Sequence, residues 1–323
     1  MTHRRAPYRA AIVGLGQVGM LFDQDSRRSG VWTHFTAYER LPGQFDLVAV
    51  CDRDSERLSM ALQRRPSLHG YMEMGEMLER EALDVVSLCT PPDLHASQIQ
   101  RCAGRVRAVI CEKPLALSME EAEGAVAACK GAGTWLAVNY YKRFADRMPD
   151  ARRALVEQRV GRVKIVNALF CGPLDAVGSH MLDLLRFLLG EIVPLGRPAV
   201  AGDRWCLSFR SADGALVQVQ NAGPREEFVF ECDILGDAGR LRLLNNGTDL
   251  ELYRYHASPR YSGYRELHPE VLPRESPGER FLPIFLETAE VLAGQRTNLT
   301  SDGANALRTQ RVIDAVEALL ARE

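Results

Sequence analysis

Arg9-Ala10-Ala11-Ile12-Val13-Gly14-Leu15-Gly16-Gln17-Val18-Gly19 is an apolar run that ends in three spaced glycines. A lone G-x-G-x-x-G is a weak signal. One that leaves a strand and enters a helical stretch is much stronger. The first glycine allows a tight turn, the second lets backbone approach a pyrophosphate, and the third lets helix pack closely on strand. The free N–H groups of the helix start, across Leu15, Gln17 and Val18, then face the phosphates.

The acidic partner that this motif calls for is also present. Phe45-Asp46-Leu47-Val48-Ala49-Val50-Cys51 reads as the second strand, and Asp52 ends it. A carboxylate there accepts hydrogen bonds from the adenosine ribose and repels a 2′-phosphate, which favours NAD. Arg53 follows at once and leaves NADP open, since an arginine beside the ribose can hold that phosphate. Gly14 and Asp52 are 38 positions apart, against a usual spacing of about 20. The excess is a polar, loop-like insertion over residues 22–30. Trp32, Thr33 and His34 come next, placed either to reach a ligand or to open the following helix.

Residues 85–89 form a continuous apolar run of buried-strand type, stopped by Thr90-Pro91-Pro92. Asp93 is positioned to cap a helix from Leu94, with His95 in its first turn. The run 108–111 is a further buried strand, and it ends in Glu112-Lys113-Pro114. Open α/β sheets bind ligands at the carboxyl ends of their strands. Lysine is scarce here, at only Lys113, Lys130, Lys142 and Lys164, so a retained lysine suggests a need for an ammonium group. The Lys113–Pro114 bond is a candidate cis peptide. Ser118-x-x-Glu121 is a capping box that opens the next helix.

Strands alternating with helices to about residue 140 predict a doubly wound parallel sheet. Beyond that the pattern changes. Helices are expected over 151–159 and 178–189, and strands over 162–170, 205–210, 215–220, 228–235, 240–244 and 250–255. Hairpin turns are expected at Asp213-Gly214, Asp237-Ala238-Gly239 and Asn246-Gly247. Residues 256–278 read as a long loop, and two helices close the chain. The expectation is α/β overall. A Rossmann domain over 1–140 is followed by an α+β domain over 141–323 with a large, mostly antiparallel open sheet.

Composition sets outer bounds. At 323 residues, 46% hydrophobic, 25% charged and a net charge of -2, the chain is of globular type. It carries no basic excess for nucleic acid or an anionic membrane. Eight cysteines without a C-x-x-C suggest free thiols in a reducing cytoplasm and no zinc site.

The motifs Gly14-x-Gly16-x-x-Gly19, Cys51-Asp52, Thr90-Pro91-Pro92-x-x-His95, Glu112-Lys113-Pro114 and Gly178-Ser179-His180-x-x-Asp183, in this order, resemble the Gfo/Idh/MocA family of oxidoreductases. The resemblance implies a nicotinamide cofactor, NAD or NADP. It implies hydride transfer at a secondary alcohol or ketone carbon of a sugar, inositol or nucleotide-linked sugar, and Lys113 and His180 beside the nicotinamide. It also implies a homo-oligomer formed through the second-domain sheet. Lys113 then stabilises charge on the reacting oxygen, and His180 is the acid/base, with an ordinary pKa of about 6.5 that suits neutral pH. His180 is expected in the first turn of its helix, where the dipole disfavours a cation. Asp183 either orients His180 or pairs elsewhere. Many relatives carry an aspartate four residues before the histidine, where this chain has Ala176, so Asp175 is the candidate substitute. Tyr141, Arg143 and Trp32 complete the expected substrate contacts. The alternative reading is a catalytically silent dinucleotide-binding regulator on the same fold.

Overall fold

The computed structural model describes residues 6–224, 226–275 and 279–322. Its elements run β1 (Tyr8–Val13), α1 (His34–Arg40), β2 (Phe45–Cys51), α2 (Ser55–Arg64), β3 (His69–Tyr71), α3 (Met74–Arg80), β4 (Val85–Leu88), α4 (Pro92–Cys102), β5 (Ala108–Cys111), α5 (Met119–Ala132) and β6 (Trp135–Val138). Then follow α6 (Met148–Val156), β7 (Val163–Phe170), α7 (Ser179–Leu189), β8 (Ile192–Ala201), β9 (Arg204–Ser211), β10 (Leu216–Asn221), β11 (Phe230–Gly236), β12 (Gly239–Leu244), β13 (Asp249–Ala257), β14 (Arg265–Glu270), α8 (Leu282–Leu292) and α9 (Gly303–Leu320). Among the described residues no helix is long and apolar enough to cross a membrane.

The chain divides into two units. The first is Met1–Tyr141 with Glu279–Arg308, and the second is Lys142–Gly278 with Thr309–Glu323. Glu279–Arg308 thus groups with the first unit and not with the residues that precede it in sequence. The physical reason lies at β6. Val138 donates its N–H to Ser301 O at 2.9 Å, and Ser301 Oγ returns a bond to Val138 O at 2.7 Å. The edge strand is thereby covered rather than left open. Phe285 of α8 meets Tyr38 and Phe45 edge-on, with ring centroids 5.0 and 6.2 Å apart.

The first unit holds a six-stranded sheet of order β3-β2-β1-β4-β5-β6. Every adjacent pair in it is parallel. Strand order reverses between β1 and β4, the switch point at which such sheets bind ligands. One face packs Ala96, Ile99 and Cys102 of α4 and Ala122, Ala125 and Cys129 of α5 against Val86, Leu88 and Val109.

In the second unit the sheet has eight strands in the order β14-β13-β12-β11-β7-β10-β9-β8. Only β7 and β10 pair in parallel. Its inner face, with Val166, Phe170, Phe209, Val219 and Ile234, buries Met181, Leu182 and Leu185 of α7 and Val312 and Val316 of α9. Two strands of this sheet were not legible in sequence. β8 carries Pro194 and Pro198, and β14 carries Pro269 inside the stretch expected as a loop. Both are edge strands, where a missing N–H is tolerated. Residues 276–278 of that loop lie outside the described residues.

Candidate active site

The glycine turn is built as its spacing demands. Gly14 has φ +90°, and a Cβ there would lie 2.7 Å from the backbone C and O of Cys89. A Cβ on Gly19 would lie 2.1 Å from Gly14 O, whereas one on Gly16 would meet only Arg57 Nη1, at 3.9 Å. Two glycines are therefore required by packing, and the middle one leaves an open approach. Gly14→Ala should lose about 3 kcal/mol of stability from the left-handed backbone and the clash with the Cys89–Thr90 backbone. A urea midpoint equal to wild type would contradict this.

The helix after the turn is interrupted, not continuous. Met20 N bonds Gly16 O, the chain leaves through the insertion, and α1 resumes with His34 N on Val18 O (3.0 Å) and Phe35 N on Gly19 O (3.1 Å). The insertion is a detour whose two ends complete one helical hydrogen-bond pattern. Asp23 ties it down, accepting from Thr33 Oγ1, Thr36 Oγ1 and Arg64 Nη1.

A cavity of about 610 Å³ opens at the switch point. Gly14, Gly16, Asp52, Arg53, Thr90 and Pro91 line it, as does a set that sequence did not single out: Arg57 of α2, with Leu94, Ser97, Gln98 and Arg101 of α4. The α4 residues recur at helical spacing and form one face, a signal readable once the docking face is known. Asp52 Oδ2 accepts from Leu15 N at 2.6 Å, and Oδ1 accepts from Asp54 N at 2.9 Å. Volume, open backbone and a carboxylate beside the glycine turn fit a dinucleotide.

Pro92, His95 and Glu112 do not line this cavity. The α4 helix begins at Pro92 itself, with no side-chain cap from Asp93, because proline suits a first helical position. His95 is fully buried instead of solvated. Its Nδ1 lies 2.7 Å from Pro114 O and its Nε2 lies 2.8 Å from Thr90 O. It therefore links the two loops that follow β4 and β5, and its ring nitrogens face backbone instead of a ligand.

Lys113–Pro114 is cis. Lys113 is half-buried, and Glu112 behind it is buried. Glu112 Oε1 lies 2.9 Å from His34 Nε2 and accepts from Asn139 Nδ2 at 2.7 Å. Burial alone would raise the Glu112 pKa, but the His34 contact, Asn139 and nearby Lys113 outweigh it and hold the carboxyl below its ordinary value. His34 is thus a buried support for the Glu-Lys-Pro turn, held edge-on by Phe281 and Phe285. Trp32 carries Arg280 over its ring at 4.3 Å and Arg28 at 5.0 Å. Tyr141 stacks on Phe281 at 5.8 Å.

In the second unit, residues Leu174–Gly178 form a π-helical turn that runs directly into α7. Such turns recur at functional sites. Val177 N and Gly178 N already bond Pro173 O, so the open N–H end lies before His180, not at it. The dipole argument, which holds only for the first turn, does not reach His180 as sequence suggested. Gly178 is fixed by packing, because a Cβ there would lie 2.9 Å from Phe170 Cζ. His180 is buried.

Asp183 is committed elsewhere. Arg143 donates Nε and Nη2 to its two oxygens at 2.7 Å each, and Thr309 Oγ1 adds a bond at 2.8 Å. Arg143 is buried, and its pair with Asp183 is bidentate. Asp175 is exposed. Its charge helps raise the Glu317 pKa, after burial and Asp314.

Residues 8–140 match the family model described as the oxidoreductase family with the NAD-binding Rossmann fold. A D-apiose dehydrogenase of Paraburkholderia graminis is 33% identical over 239 residues, covering 65% of this chain and 64% of the relative. An inositol 2-dehydrogenase of Rhizobium meliloti is 31% identical over 163 residues, 46% of this chain and 49% of the relative. The chain thus spans about half to two thirds of the length of these curated relatives. The WlbA dehydrogenase of Chromobacterium violaceum, solved with NADH and UDP-GlcNAcA, shares the fold along the whole chain. Its TM-score is 0.80 at 23% identity, covering 100% of this chain and 95% of that one. Over residues 8–140, with its glycine turn and sheet order, the chain matches the NAD-binding Rossmann-fold part of the Gfo/Idh/MocA oxidoreductases.

Proposed function

We propose that this chain is an NAD(P)-dependent oxidoreductase that moves a hydride to or from a secondary alcohol or ketone carbon of a sugar, an inositol or a nucleotide-linked sugar. The observation that carries the reading is the pairing of the switch-point cavity with Lys113 at the end of β5, two strands from β1. Two strand spacings are about 10 Å, a span suited to the distance from pyrophosphate to nicotinamide. A bound nicotinamide supplies the hydride acceptor or donor.

The chain's own residues do the rest. The Gly14 turn and Asp52 hold the pyrophosphate and ribose. Lys113 hydrogen-bonds the reacting oxygen and opposes the negative charge that grows there. His180 takes the hydroxyl proton in oxidation and returns it in reduction. Its helper is not Asp183, which Arg143 and Thr309 hold. The names of the relatives, a D-apiose and an inositol dehydrogenase, support a polyhydroxylated substrate. Eight free cysteines accord with a reducing, cytoplasmic setting. A nicotinamide-fluorescence screen against sugars, inositols and sugar nucleotides tests the reading. Dinucleotide binding with no turnover on any of them would favour the silent regulator.

Assembly through the outer face of the eight-stranded sheet belongs to the same proposal. Prolines blunt both edges, which leaves the face. There Leu235, Ile165 and Leu216 are cross-strand neighbours, and Ile165 and Leu216 are 41% and 43% exposed. A dimer or larger homo-oligomer is expected by sedimentation at micromolar protein, and Ile165→Glu should dissociate it. A wild-type monomer would contradict this.

A further inference from the structure

The insertion over residues 22–30 returns to the first unit through Trp32. From Val31 to Phe35 every side chain is buried except Trp32, which stays half-buried. A large aromatic left partly open in a buried stretch marks a contact surface rather than core. Its indole is fixed in place. Nε1 donates to Ser29 O at 2.8 Å, and Tyr141 meets the ring edge-on with centroids 6.4 Å apart.

Two guanidiniums sit over this indole, Arg280 at 4.3 Å and Arg28 at 5.0 Å from its centroid. Arg28 also lies 3.8 Å from the centroid of Phe22, at the start of the insertion. Stacking of this kind orients a planar guanidinium without using its hydrogen-bond donors. It also covers the ring, so a sugar has no bare indole face to stack on. Arg28 Nε donates to Asp25 Oδ2 at 3.2 Å, and that carboxylate is 46% exposed. Among the described residues Nη1 and Nη2 of Arg28 make no hydrogen bond. Asp23, the other acid of the insertion, is engaged by Thr33, Thr36 and Arg64. Arg28 therefore presents spare donors in a fixed orientation, with a second guanidinium on the same ring. The position is beside the reacting centre. Two residues after Trp32, His34 Nε2 lies 2.9 Å from Glu112 Oε1, and Lys113 follows Glu112. Tyr141 stands at the same carboxyl edge, just past β6, the strand paired with β5.

We infer that Arg28, stacked on Trp32 beside Arg280, is a specificity-determining residue that recognises an anionic substituent, a carboxylate or a phosphate, on the polyhydroxylated substrate whose carbinol meets Lys113. The inference rests on the substrate reading proposed above and narrows it to the anionic members of that class. A guanidinium fork meets either group through charge-assisted hydrogen bonds that a neutral hydroxyl cannot match.

Matched compounds on the whole protein test it: D-glucose against D-glucuronate and glucose 6-phosphate, and myo-inositol against an inositol monophosphate. Calorimetry reads their binding to the NADH-loaded protein, and nicotinamide fluorescence reads their turnover with NAD. At least one anion should bind about 10- to 100-fold more tightly than its neutral partner, the range of one hydrogen bond to a charged group. Whether glucuronate or the phosphates lead identifies the anion. Arg28→Leu should remove most of that preference, and the loss should fall on KM more than on kcat. Arg28→Lys should keep part of it, and Arg27→Leu, the neighbouring charge, should leave it unchanged. The preference should shrink as salt rises. Failure to bind any of the anions, equal affinity for charged and neutral partners, or a preference that survives Arg28→Leu would overturn the inference, and turnover of the neutral compounds would then leave hydride transfer standing. Anion binding through Arg28 with no turnover of any compound would instead overturn the oxidoreductase reading.

Discussion

Replacing His180 with asparagine is expected to lower turnover by about 10²–10⁴, the usual contribution of a positioned acid/base. Asparagine keeps a polar group of similar reach but has no proton to exchange in this range. The pH dependence separates this from a packing role. Hydroxyl oxidation needs an unprotonated imidazole, so its rate should rise with pH through one ionisation, while carbonyl reduction should fall. The variant should lose that ionisation together with its rate. The folded state should survive, because the core beneath the helix is made by Met181, Leu182 and Leu185. A variant that keeps both its rate and the wild-type profile would move the acid/base elsewhere, with Tyr141 and Asp175 the next to test.

Replacing Lys113 with methionine is expected to cost about 3 kcal/mol in the transition state, as for loss of one well-placed oxyanion donor. The loss should fall on kcat more than on KM, since charge on the oxygen is largest in the transition state. Dinucleotide affinity should change little, because Lys113 does not line the cavity formed by Gly14, Asp52 and Arg57. The support behind the turn should also stand, since Glu112 keeps His34 and Asn139. Rapid-mix single turnovers read this directly, and unchanged turnover would make Lys113 an ordinary strand-end lysine.

How much of this was legible follows from what each residue depends on. The glycine turn, Asp52 and the cis Lys113–Pro114 bond are set by local chemistry, and each stands where its sequence neighbours place it. The hairpins at Asp213-Gly214 and Asn246-Gly247 are local too, with φ +85° at Gly214 and +90° at Gly247. Strands β8 and β14 were hidden because their prolines argue against a strand anywhere but an edge, and edge position is a property of the whole sheet. The union of Glu279–Arg308 with the first unit rests on Ser301 meeting Val138, 163 positions away. The pairing of Arg143 with Asp183 across 40 positions was equally invisible. Sequence placed both residues near the chemistry but could not say that each would occupy the other.

The most direct test of the account follows the hydride itself. A sugar, inositol or nucleotide-linked sugar that supports turnover would be labelled with deuterium at its reacting carbinol carbon and mixed with the oxidised dinucleotide and stoichiometric enzyme. Mass spectrometry of the recovered nicotinamide then reads the transfer. The account predicts one deuterium gained per carbinol oxidised, with the step slowed in Lys113→Met and His180→Asn. Oxidation of the carbinol without deuterium in the nicotinamide, or tight dinucleotide binding with no transfer from any of the polyhydroxylated compounds, would contradict it.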